Sequence, residues 1–120
     1  MRLGLIPILE VEAEVIYEGN GTLPLSGQMF YVLEKSASDI IPLIDADHEK
    51  AIEQLKSRAI KFIITDSQGK VVVKDLKAKT YYICGISRTH QGVGVWNVRV
   101  DMQYGKNSLV LDNKNMTAKP

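Results

Sequence analysis

The chain has one cysteine, Cys84, set between Ile83 and Gly85 in an apolar run. A cysteine attacks as its thiolate, which needs a neighbouring base and an electropositive, reachable setting. Apolar neighbours predict a buried, inert thiol instead. His48 falls on a predicted helix and His90 in a predicted loop, and neither stands at zinc- or iron-ligand spacing from the other or from Cys84. No metal and no cofactor is therefore expected. Gly92-Val93-Gly94 is followed by no helix start, so it reads as a strand entry rather than a phosphate cradle. Glu10, Glu12 and Glu14 alternate along one strand at ~7 Å spacing, too far apart to share a calcium ion unaided, and read as a solvated sheet face. One candidate binding surface remains: Arg88, His90 and Gln91 in a loop, with Trp96 and Arg99 on the next strand, residue types favoured at binding hot spots. Trp96 shares its alternation face with Val98 and Val100, so the same pattern also reads as core.

These residues need a scaffold of strands to position them. Leu9, Val11, Ala13, Val15 and Tyr17 alternate with the three glutamates, the period of a strand with one wet face. A Gly-, Asn- and Pro-rich turn from Glu18 to Gly27 leads to a second strand, Gln28 to Glu34. From Asp45 to Ala59 the period changes: Ala51, Ile52, Leu55 and Ala59 share a helical face, and Asp45 or Asp47 can cap its start. Ile60–Thr65 and Lys70–Leu76, joined by Asp66-Ser67-Gln68-Gly69, read as a hairpin. Strands at Thr80–Ser87 and Val93–Gln103 follow, then a last one ending near Asp112. The fold class expected is mainly β: a seven-stranded immunoglobulin-like or prealbumin-like sandwich over residues 9–113, with one inserted helix and flexible ends at 1–8 and 114–120.

At 120 residues the chain is long enough for one self-sufficient core. Fifteen basic against fourteen acidic side chains leave +1, which gives no electrostatic footprint for nucleic acid. No stretch reaches the ~18 apolar residues of a membrane span. The apolar start is broken by Pro7 and ended by Glu10, so it does not read as a signal peptide.

Several stretches together resemble a known group. Leu23-Pro24-Leu25-Ser26-Gly27 before the second strand, Thr65-Asp66-Ser67-Gln68-Gly69-Lys70, Leu76 and Thr80-Tyr81-Tyr82 resemble carboxypeptidase regulatory-like domains of the prealbumin-like sandwich group. Gly85-Ile86-Ser87-Arg88, Val95-Trp96-Asn97-Val98 and Leu109-Val110-Leu111-Asp112-Asn113 look like a bacterial branch of it that carries a helical insertion. The resemblance implies a buried corner tyrosine at Tyr81, its hydroxyl tied to nearby backbone. Where the group usually has Pro-Gly before the Thr-Tyr pair, Ala78-Lys79 stands here. Two activities of relatives find no match. The Tyr-Arg-Gly-Ser tail of transthyretin-like hydrolases is absent, and the first strand offers no Lys for an isopeptide bond.

The function expected from this resemblance is non-enzymatic: an accessory or adhesion-type module of an exported or cell-envelope bacterial protein, periplasmic or secreted, with a protein or cell-surface component as partner. The alternatives are a small-molecule binding or hydrolytic domain using the Arg88 to Arg99 region, and an intracellular interaction module that uses the helix. Oligomeric state is not legible.

Overall fold

The alternation of the first strand sorts its side chains as expected: Leu9, Val11 and Ala13 are buried while Glu10, Glu12 and Glu14 line the other face. The computed structural model describes residues 6–17, 19, 21–89 and 92–118. In chain order the elements are β1 (Pro7–Ile16), β2 (Thr22–Pro24), β3 (Met29–Leu33), α1 (Ile41–Ala46), α2 (His48–Arg58), β4 (Lys61–Ile64), β5 (Lys70–Val73), β6 (Thr80–Thr89), β7 (Gly92–Asp101) and β8 (Gly105–Leu111). Eight strands are present among the described residues, where seven were expected. The addition is the short β2, inside the segment read as a turn.

The strands form two sheets. One runs β4-β3-β6-β7, antiparallel throughout. In the other, β8 lies parallel to β1 on one side, with Val11 opposite Leu109 and Ala13 opposite Leu111. The other side of β1 is shared end to end by β5, opposite residues 9–12, and β2, opposite residues 14–16. Immunoglobulin domains instead join their first, second, fifth and fourth strands in one sheet and their third, sixth and seventh in the other. Here, counting without β2, the third strand pairs with the second and the fourth with the first, so the order is not the immunoglobulin one.

Inward residues of both sheets meet in one core: Leu9, Val11, Val73 and Leu111 from the first, Phe30, Val32, Ile63, Ile83 and Trp96 from the second. The Trp96 and Phe30 rings cross edge to face with centroids 5.5 Å apart. Burying each such side chain contributes roughly 1.5–3 kcal/mol, which makes this the sandwich's main source of stability. Two opposed sheets over a shared core make the architecture a β-sandwich.

The expected hairpin is corrected. Its turn is real, closed by Asp66 N–H to the Lys70 carbonyl at 2.9 Å, with Asp66 Oδ1 accepting from the N–H groups of Gln68 and Lys70. The strands on either side part, however: β4 joins β3 and β5 joins β1. Ala13 explains the divergence, because its N–H donates to the Gly69 carbonyl at 2.7 Å and draws the chain across to the other sheet.

The single helix expected at 45–59 is two. Asp47, extended at φ −156°, caps α2 by accepting from Lys50 N–H and separates it from α1. Pro42 is tolerated in the first turn of α1, where the missing N–H costs no helical bond. Both helices pack on the outer face of the β3-β6-β7 region, where Ile40, Ile44, Ala51 and Leu55 meet Tyr31, Leu33, Cys84 and Val95 in a second core. Ile52, expected to share that contact, is only partly buried.

Pro7 and Ile8 belong to β1. Asn113 brackets Ile16, accepting its N–H at 2.8 Å and donating to its carbonyl at 3.0 Å. No helix among the described residues is long and apolar enough to cross a membrane.

Candidate functional site

Of the residues singled out by sequence, the three described ones, Arg88, Trp96 and Arg99, are not brought together. Trp96 points inward and is fully buried, its Nε1 donating to the Asp112 carbonyl at 3.0 Å. Arg88 and Arg99 are exposed on the outer face, but Arg88 stands opposite Val93 and Arg99 opposite Tyr82. Six residue steps along β6, from Tyr82 to Arg88, therefore separate them, roughly 20 Å. Arg99 is engaged with Asp101 at 3.1 Å, and that carboxyl, also accepting from the Thr80 hydroxyl at 2.7 Å, is held below the usual carboxylate range. His90 and Gln91 lie outside the described residues.

Cys84 is buried beneath the helices, its thiol 3.3 Å from Asn97 Oδ1, and burial pushes its pKa up to about 12. At neutral pH it is a protonated thiol. Among the described residues no three His, Cys, Asp or Glu side chains gather in metal-binding reach. The three glutamates stay on the outer face of β1, where Glu10 pairs with Lys106 at 3.4 Å beside an open hollow of about 330 Å³.

The two edges of the larger sheet differ in a way that periodicity does not report. At β7 the C-terminal segment covers the edge: Val95 donates to the Ala118 carbonyl at 2.8 Å and accepts from Thr117 N–H at 2.7 Å. At β4 no strand is added among the described residues. Thr65 N–H donates to Gln28 at 3.0 Å, and alternation from that bond turns Ile63 and Lys61 toward β3 and the polar backbone of Phe62 and Ile64 toward the open edge. On the outer face of this edge Phe62 and Ile64 are 53% and 55% exposed, and Ile60, 48% exposed just before the strand, donates its N–H to the Val32 carbonyl at 2.9 Å and lines the cleft described next. Phe62 leans edge to face on Tyr31, centroids 5.7 Å apart. An edge of this kind, short of charge on its exposed face and with unpaired N–H and C=O groups, is a template for another strand.

The N-terminal end of β4 opens into a cleft of about 260 Å³ between the sheets, lined by Lys61, Asp75, Lys77, Lys79, Glu34 and Tyr81. Lys61 bonds Asp75 at 2.8 Å and Lys79 bonds Glu34. Those hydrogen bonds hold both carboxyls below their ordinary range, and Glu34 raises Lys79. The Lys79 ammonium stands 5.7 Å over the Tyr81 ring. Tyr81 is buried as expected, but its hydroxyl makes no hydrogen bond to the described backbone. Tyr81 is one of the residues that line the cleft, and no fully buried side-chain nitrogen or oxygen among the described residues lacks a partner. The turn before it closes without Pro-Gly, by Lys79 N–H to the Lys77 carbonyl at 3.0 Å.

Neither the edge nor the cleft was found by sequence reasoning. The exposed Ile60, Phe62 and Ile64 alternate with Lys61 and Ile63, a usable signal had β4 not been assigned to a hairpin. A scan against protein-family models and a search of curated proteins give no match to the chain.

Proposed function

We propose that this chain is a non-enzymatic binding module of the prealbumin-like sandwich group, an accessory or adhesion-type unit of an exported or cell-envelope bacterial protein, and that it takes its partner by strand addition at β4. The observation that carries this reading is the asymmetry of the larger sheet, with one edge covered by the chain's own C-terminal segment and the other bare and apolar. Strand addition draws affinity from main-chain hydrogen bonds and specificity from alternate side chains, and β4 offers both. The departure from immunoglobulin strand order is compatible with the prealbumin-like resemblance. The rival use of the Arg88 to Arg99 region gains no support from arginines ~20 Å apart along β6.

The test is binding of the chain to proteins of a bacterial envelope fraction, compared with a Phe62→Lys, Ile64→Lys variant of equal melting temperature. Binding lost in the variant is expected. Binding that survives it would refute β4 as the contact.

A further inference from the structure

The direction of β4 and the position of the cleft together specify how a partner strand would end. β4 runs away from the cleft, from Lys61 at its mouth to Ile64. A strand added antiparallel to it runs the opposite way and arrives at the cleft with its C-terminus leading.

The cleft is suited to that end. Lys61 and Lys79 each already face a carboxylate, but Lys77 has no carboxylate within ion-pair distance among the described residues, so three ammonium groups stand against two acids. Tyr81 adds a second and independent feature: it lines the cleft at 2% exposure with the Lys79 ammonium over its ring, yet its hydroxyl has no hydrogen-bond partner among the described residues. A phenol held in place by a packed core, in the lining of a cleft with a surplus of positive charge, is complementary to a carboxylate. The volume is slightly below the ~300–1,000 Å³ of sites that enclose a whole small ligand, which fits the end of a longer one.

We propose that β4 receives an extended peptide running antiparallel to it, whose free C-terminal carboxylate enters the cleft at Lys77 and is bonded there by the Tyr81 hydroxyl. This rests on the strand-addition reading and names its partner: a protein C-terminus with apolar residues at alternate positions, lying over Phe62 and Ile64 and ending beside Ile60 at the cleft.

The experiment uses heptapeptides of randomised sequence, presented once with free carboxyl termini and once as C-terminal amides, with affinities of the selected sequences measured by fluorescence anisotropy. Free acids should be selected, and amidation should weaken them at least tenfold. Tyr81→Phe should weaken the free acids several-fold at an unchanged melting temperature, since the lost hydroxyl bonds none of the described residues in the free chain. Phe62→Pro, which removes an edge N–H, should abolish binding. Equal affinity of acids and amides, including amides that carry an internal Asp or Glu, would overturn carboxylate capture while leaving strand addition standing. If neither form binds, or if the chain self-associates through β4 to the exclusion of peptide, the strand-addition partner named here is overturned as well.

Discussion

A Cβ on Gly69 would stand 2.4 Å from the carbonyl oxygen of Ala13, the residue whose N–H donates to the Gly69 carbonyl at 2.7 Å. Gly69 also has φ +73°, so close approach and left-handed backbone coincide where β2 and β5 meet along β1. Gly69→Ala should cost about 2–4 kcal/mol. Gly27, at φ +67° with open space around it, provides the comparison: Gly27→Ala should cost only about 1–2 kcal/mol, the left-handed penalty alone. Chemical denaturation of both variants checks the pair, and equal losses would mean that the Ala13 contact contributes nothing.

The second core, between the helices and the sheet, is checked at Leu55. Leu55→Asp would place a carboxylate among Tyr31, Leu33 and Cys84 and should cost about 3–5 kcal/mol, whereas the partly buried Ile52→Asp should cost about 1 kcal/mol. Similar melting points for the two would show the helices to be undocked.

Cys84 makes a pH-dependent contribution of definite sign. Its pKa is raised from 9.0 to about 12 by burial, so folding favours the protonated thiol. That contribution is complete below the unfolded thiol's pKa near 9 and is lost as pH rises through about 12. The stability difference between the native chain and Cys84→Ala should be constant below pH ~9 and shift against the native chain above it. A difference that stays flat to pH 12 would contradict the burial.

Arg88 and Arg99 are exposed, and replacing both with alanine should leave the melting temperature nearly unchanged. Loss of folding in the double variant would show that one of them closes the sheet, contrary to its position.

How much was legible depended on how local each signal is. The alternation at Leu9–Ala13 and at Trp96–Val100 identified strands and their inward faces, because period two is written in adjacent residues. Helix α1 starts at Ile41, ahead of the helical period read from Asp45, and it is the outer face of the sheet that supplies the apolar surface that stabilises it. The separate pairing of β4 with β3 and of β5 with β1 was not legible, because a tight turn looks the same whether the strands beyond it stay together or part. The cleft joins Glu34, Lys61, Asp75 and Lys79, residues whose proximity follows from sheet order alone.

The most direct measurement is amide hydrogen exchange at Phe62 and Ile64, whose N–H groups face the open edge, with and without a bound partner or selected peptide. Both amides should exchange readily in the free chain and become protected on binding, while those of Lys61 and Ile63, which face β3, are protected in both states. Protection confined to the outer face of β1, β5 and β8, or binding that leaves Phe62 and Ile64 exchanging as before, would contradict strand addition at β4.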